Sequence, residues 1–271
     1  MANACSIPGL KNQVRAFWDS DPCGTRYLEG AEDFPAHARA RYALEPHIQE
    51  FARFSSARGL RVLEVGVGIG ADYLEWLKAG ARATGIDMSR GSLECARRRC
   101  ELAGFSPDLR LADAEHLPFS DNSFDVVYSY GVMHHSPDTA QCFREAWRVL
   151  KPGGEARIMV YHHPSLTGTM LWLRYGLLQG KSLRRAVYDH LESPGTKTYT
   201  QAEARSMMTG FENVTLGLAF SPGDLLLHRP SARFQSPGYR LAWKLYPRRL
   251  ARRLGGGWGL FLLLTGRKPA D

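Results

Sequence analysis

From residue 61 onward, short β-rich runs alternate with helical patterns, and this alternation constrains the fold more than any other feature. "LRVLEV", "ARATGID", "DLRLAD", "SFDVVYSY" and "KPGGEARIMVYHH" read as five successive strands, the last opened by a turn. "ADYLEWLKAG", "SRGSLECARRRCELAG" and "DTAQCFREAWRVL" read as helices between them. Ser89 is placed to cap the second of these helices and Gly104 to end it. Strands alternating with helices need crossover connections, so the spacing predicts a largely parallel sheet covered by helices. "FENVTLGLAF" supplies a sixth strand, and "GWGLFLLLTGRK" a seventh that closes the sheet antiparallel.

Flanking segments have a different texture. "KNQVRAFWDS" and "HARARYALEPHIQEFARF" space apolar residues at three and four, as helices do. Between them lies "DPCGTRYLEG", a loop punctuated by Pro and Gly. The expected organisation is an N-terminal helical lid over 1–60 and a core over 61–271. Insertions fall at about 164–199 and 220–256. The first insertion carries two helical patterns, and "TYTQAEARSMMTG" after it reads as a helix capped by Thr200.

"LEVGVGIGADY" places Gly66, Gly68 and Gly70 directly between the first strand and its helix. Glycines allow a sharp turn and a close approach of ligand to backbone. The helix beyond offers free N–H groups and a partial positive charge. The same residues fit G-x-G-x-x-A, ending at Ala71, so a nicotinamide dinucleotide is a rival ligand at this point. Glu64 lies inside the first strand, where a buried acid needs a hydrogen-bonding or cationic partner. Asp87 ends the second strand, a position from which an acid accepts from ribose hydroxyls. "ADAEHLPF" puts Asp113 and Ala114 at the end of the third.

Four segments in order, "EVGVGIG", "GIDMS", "ADAEHLPFSDNSFDVV" and "REAWRVLKPGG", resemble those of the class I S-adenosylmethionine-dependent methyltransferases. The resemblance covers roughly residues 61–161 and is nearest to the ubiquinone/menaquinone-type small-molecule branch. It implies a Rossmann-like α/β fold: seven strands, mostly parallel with the last antiparallel, flanked by helices and by lid elements. It implies S-adenosyl-L-methionine as cofactor and S-adenosyl-L-homocysteine as product. By the same resemblance, Glu64 would hold the amino group of the methionine end and the Gly66–Gly70 turn would pass beneath it. Asp87 would take both ribose hydroxyls and Met88 would flank the adenine. Asp113 would accept from the adenine amino group, Ala114 would offer its backbone N–H, and Ser129 would sit beside the methionine moiety.

Four of the nine histidines stand in two pairs, His134–His135 after the fourth strand and His162–His163 after the fifth. Adjacent parallel strands lie about 4.8 Å apart, and open α/β sheets bind ligands at these strand ends. Both pairs are therefore expected at one rim of the crevice. His134 and His162 are the candidate general bases, with His135 packing or capping instead. No metal is expected: adjacent histidines rarely aim both rings at one ion, and no carboxylate cluster lies nearby in the sequence.

The expected lid segment is "AFWDSDPCGTRYLEG", with Trp18 and Tyr27 walling off the methyl and Cys23 in a tight turn. Tyr161, Trp172, Tyr175, Tyr188, Phe220 and Phe234 are candidate aromatic walls, and Arg174, Arg184 and Arg185 could meet an anionic group. Together they suggest an aromatic or lipophilic acceptor, which an acidic group would suit. Alternatives are a membrane-peripheral quinone or lipid methyltransferase, and a protein that binds S-adenosylmethionine without transferring the methyl.

Net charge is +8, and no acidic residue occurs between Asp224 and Asp271. "YPRRLARRL" within that stretch raises RNA or an acidic membrane surface as partners. No nucleic-acid partner is expected, because no RNA-binding module is appended and no N-P-P-Y-type motif follows the fourth strand. A membrane surface is kept as the less favoured reading, behind a solvated basic insertion followed by a buried seventh strand. Five scattered cysteines without C-x-x-C, no apolar run near ~20 residues and no signal-peptide layout give an expected cytoplasmic location, with peripheral membrane attachment as the alternative.

Overall fold

The computed structural model describes residues 9–20, 33–193, 195–227, 241 and 243–270. Cys23, Tyr27 and Phe234, named above as lid and wall candidates, lie outside the described residues. The elements run α1 (Leu10–Ser20), α2 (Phe34–Leu44), α3 (His47–Ala52), β1 (Arg61–Val65), α4 (Ala71–Lys78), β2 (Arg82–Asp87) and α5 (Arg90–Leu102). They continue through β3 (Asp108–Leu111), β4 (Phe124–Tyr130), α6 (Thr139–Val149), β5 (Leu150–Tyr161), α7 (Leu166–Tyr175) and α8 (Leu183–His190). After α9 (Gln201–Met207) and β6 (Glu212–Ala219), a short helix Arg248–Leu254 precedes β7 (Phe261–Arg267).

Seven strands form one sheet in the order β3-β2-β1-β4-β5-β7-β6. β1 to β5 pair in parallel, and β7 pairs antiparallel with both β5 and β6. Chain order reverses between β1 and β4, which opens a crevice at their C-terminal ends, where open α/β sheets bind ligands. Successive strand residues point to opposite faces. Val62, Val126 and Met159 accordingly join a core with Trp76 of α4 and Ala96 of α5, while their neighbours Leu63, Val127 and Val160 join a second core with Phe143 of α6 and Met208.

Local chemistry explains most boundaries. The Ser89 hydroxyl caps α5 by accepting from the N–H of Ser92, and Asp138 caps α6 through Gln141. Thr200 and Glu203 form a reciprocal capping box at α9. Two expectations are corrected. "HARARYALEPHIQEFARF" is two helices rather than one, since Pro46 cannot donate the hydrogen bond that would carry α2 onward. The "KPGG" turn is taken up inside β5, whose pairing with β4 shifts register between Phe124 and Val126. No helix among the described residues is long and apolar enough to cross a membrane.

Candidate active site

A mainly apolar cavity of about 410 Å³ opens at the ends of β1 and β4, a size in the range of small-molecule sites. Its floor is the glycine turn. Gly66 and Val67 donate N–H bonds to the carbonyl of Ile86, tying the turn to β2. Gly66 has φ of +81°, and a Cβ there would drive into the methyls of Val132 on the opposite wall. Both facts require glycine at this position.

Asp87 stands at the edge of the floor. Its Oδ2 accepts the N–H of Gly68 at 3.0 Å and its Oδ1 that of Ser89 at 2.9 Å. The carboxylate is thereby fixed facing the cavity with lone pairs left over, although burial raises its pKa. Glu64 is only 3% exposed, and its Oε2 has no hydrogen-bond partner. Burial, then repulsion from Asp72, holds the Glu64 carboxyl well above the usual range. A buried acid with an unpaired oxygen on a cavity wall suits a cationic ligand group. Met88, Asp113 and Ala114 also line the cavity. Asp113 Oδ2 accepts from Lys11 Nζ at 2.7 Å and Oδ1 from the N–H of Glu115.

Ser129 does not line the cavity. Its hydroxyl donates to the carbonyl of Val65 on the neighbouring strand at 3.1 Å, and Tyr130, Gly131 and Val132 line the cavity instead.

The histidines are arranged differently from expectation. Met133–His135 form a 3-10 turn, in which neighbouring side chains point about 120° apart. His134 is fully buried, its ring tilted against that of Tyr161 with centroids 3.9 Å apart, and does not line the cavity. His135 lines it instead. The His135 Nδ1 lies 2.8 Å from the Ser193 hydroxyl and its Nε2 3.5 Å from Glu192 Oε2. Tyr161, also on the cavity wall, donates to that same carboxylate oxygen at 2.8 Å. Burial, and next the Lys197 ammonium, pushes His135 down to about 3. His162 is not at the rim either: it is buried, with Nδ1 3.1 Å from the carbonyl of Gly259 and its N–H bonded to Leu260, so it ties β5 to the approach to β7. Ring nitrogens of His134 and His135 and an oxygen of Glu192 come within 4.8 Å of one another, a set able to hold a metal, with the positive Lys197 beside it.

α1 lies over the crevice. Lys11 pairs with Asp113 and Glu115, the Trp18 carbonyl accepts from the Ser89 hydroxyl, and Asp19 accepts the N–H of Arg90. Val14 and Trp18 face the cavity, and the Trp18 ring meets His135 edge-on at 5.4 Å. Arg174 is exposed on α7 and away from the cavity, while Arg184 pairs with Glu203 and Arg185 with Asp189. Those arginines therefore offer no anion site there. Trp172, Tyr175, Tyr188 and Phe220 are not wall residues, and Phe261 is.

Sequence reasoning missed the residues behind the glycine turn. Asp72, in the first turn of α4, accepts from Arg41 Nε at 3.2 Å and Nη2 at 2.9 Å, from Tyr42 at 3.0 Å and from Tyr128 at 2.8 Å. Burial opposes its ionisation, but Arg41 outweighs that and holds Asp72 below the usual range. This network fastens α2 behind the glycine turn.

Comparison with known proteins identifies the family. A methyltransferase domain model matches residues 63–158. The demethylmenaquinone methyltransferase of Tropheryma whipplei is 34% identical over 179 residues, which cover 63% of this chain and 74% of that protein. The chain belongs to the class I S-adenosylmethionine-dependent methyltransferases. Methyltransferase GfsG of Streptomyces halstedii is 42% identical over 114 residues, 41% of each chain. The chain spans less than half the length of the first curated relatives it matches. A solved phospholethanolamine N-methyltransferase 2 of Haemonchus contortus, in complex with phosphomonomethylethanolamine and S-adenosylhomocysteine, shares the fold. Its TM-score is 0.59 at 20% identity, over 94% of this chain and 60% of that one. Methyltransferases of this family use S-adenosylmethionine, and the unpaired Glu64 oxygen, the Asp87 carboxylate and the Cβ-free turn at Gly66 suit that cofactor's ammonium, ribose and close approach.

Proposed function

We propose that this methyltransferase moves the methyl group of S-adenosylmethionine to a small lipophilic acceptor, with His135 as the group that takes up the acceptor's proton. One observation carries the reading: Glu64, Gly66, Asp87 and Asp113 line the same cavity as Trp18, Val132, Met159, Tyr161, Leu260 and Phe261. The acidic rim serves the cofactor and the apolar remainder serves the acceptor. Lys11 and Arg41, cations on the wall, are already paired, which supports a neutral acceptor over an anionic one. The relative named for demethylmenaquinone is in keeping with a lipophilic acceptor.

The bound sulfonium supplies an activated methyl, so the chain's task is alignment and water exclusion. Alignment is worth up to roughly 7–11 kcal/mol in favourable cases. Val14 and Trp18 of α1 border the cavity with apolar surface that disfavours water. Burial keeps His135 neutral, the form that accepts a proton, with Nδ1 beside the Ser193 and Thr196 hydroxyls and Nε2 turned toward Glu192. Glu192, positioned by Tyr161, would steady the imidazolium as it forms. A base matched to the working pH adds roughly 10²–10⁴-fold, and one held down to about 3 belongs at the low end of that range. Incubation with S-adenosylmethionine and a panel of quinones, sterols and polyketides, read by mass spectrometry, tests the proposal. A methylated product with equimolar S-adenosylhomocysteine is expected; methylation confined to RNA or to small ionic amines would overturn it.

A further inference from the structure

Residues 241 and 243–258, ahead of β7, carry exposed cations and large exposed apolar side chains within one short stretch. Leu241, Leu245, Leu250 and Trp258 are 58%, 70%, 52% and 42% exposed. Lys244, Arg249, Arg252 and Arg253 are exposed among them, and none has an acidic partner among the described residues. No acid occurs anywhere from 225 to 270 that could neutralise them. Tyr246, Pro247, Leu250, Ala251 and Trp258 of this stretch border a shallow apolar groove with Leu166.

We infer that this face docks on an anionic lipid bilayer. Arginines meet lipid phosphates while leucine and tryptophan side chains enter the headgroup boundary, the division of labour of interfacial segments. A second copy of the chain would bring like charges together, which costs rather than stabilises. Nucleic acid would match the arginines but leave four large apolar side chains in water.

The face is joined to the cavity. Tyr246 donates to the carbonyl of Asp224 at 2.9 Å. The fully buried Asp224 carboxylate in turn accepts from the N–H groups of Thr167, Ser221 and Leu260, all at 2.8 Å. Those three residues line the active-site cavity. Docking thus sets the acceptor end of the cavity beside the bilayer, so that a lipophilic acceptor enters from the membrane. That route rests on the proposed function; the docking itself does not.

Co-sedimentation of the full chain with vesicles of phosphatidylcholine alone, or with one-third phosphatidylglycerol, tests the inference. Binding is expected only with phosphatidylglycerol and should weaken steeply with salt. Each arginine near the surface contributes on the order of fivefold in affinity. The triple variant R249A/R252A/R253A should lose about 100-fold, and L245S/L250S should lose binding while keeping the same arginines. Unchanged S-adenosylhomocysteine binding by both variants shows that they are folded. Equal sedimentation with both vesicle types, no sedimentation, or RNA binding that outcompetes the vesicles at equal salt would each overturn the inference. Methyl transfer is not read in this experiment, so its outcome stands apart from that of the proposed reaction.

Discussion

Asp72→Asn probes the network that holds α2 against the cofactor floor. The wild-type carboxylate accepts four hydrogen bonds, two from Arg41 and one each from Tyr42 and Tyr128. An asparagine oxygen can accept two of them, and its amide would face donors at the other oxygen's place. Removing one partner of a buried pair costs about 3–5 kcal/mol. Arg41 is a quarter exposed, so water recovers part of that. The expected loss is about 3 kcal/mol, a fall of roughly 6–10 °C in Tm at ~3 °C per kcal/mol. Urea melts of wild type, Asp72→Asn, Arg41→Met and the double variant would measure it. The double variant should be less destabilised than the two singles added together, by about 1–3 kcal/mol, because the second change removes the charge stranded by the first. The substitution also removes the Asp72 charge that repels Glu64. Glu64 should then ionise at lower pH. A loss below 1 kcal/mol for Asp72→Asn, or strict additivity in the cycle, would refute the reasoning.

Other changes separate the remaining claims. His135→Gln should lower kcat at least 100-fold and leave S-adenosylhomocysteine affinity within about twofold, whereas His134→Gln should act on stability instead. Exhaustive dialysis against a chelator should leave turnover unchanged; stoichiometric metal whose removal abolishes turnover would reassign His134, His135 and Glu192 as ligands. Gly66→Ala combines a left-handed alanine with a clash against Val132. It should cost roughly 2–4 kcal/mol, partly restored by adding Val132→Ala, as thermal melts would show. Stability should also fall in mild acid. His37 and His47 are pushed down to about 4, and His135 to about 3, in each case first by burial. Their stabilising contribution is therefore complete above the unfolded value of about 6.5 and is lost as pH falls through it towards 4. From pH 7.5 to 5.5 each site removes about 1.3 kcal/mol, roughly 4 kcal/mol together, measurable as a falling urea midpoint.

Much of the fold was legible because strand and helix periods differ and because glycine marks a turn that no other residue can make. The strand ends then placed Glu64, Asp87 and Asp113 on one cavity, since a parallel sheet brings its C-terminal ends to one side. Which histidine faces that cavity was not legible. A strand-like alternation and a 3-10 turn send His134 and His135 in different directions, and only the tertiary packing of Tyr161 chooses the turn. Glu192 gave no signal because it reaches His135 from an insertion far along the chain. Arg41 and Asp72 were hidden for the same reason, each reading locally as an ordinary surface charge on a helix. Ser129 shows the converse: its place in a motif was right for a rim, yet its hydroxyl bonds the neighbouring strand and the residue stays off the cavity.

The central claim is that the rim from Glu64 to Asp87 binds S-adenosylmethionine. Calorimetric titration of the purified chain with S-adenosylhomocysteine tests it most directly. One site per chain is expected, with affinity reduced at least tenfold by Asp87→Ala, and no heat with NADH. Binding of NADH in place of S-adenosylhomocysteine, or unchanged S-adenosylhomocysteine affinity in Asp87→Ala, would contradict it.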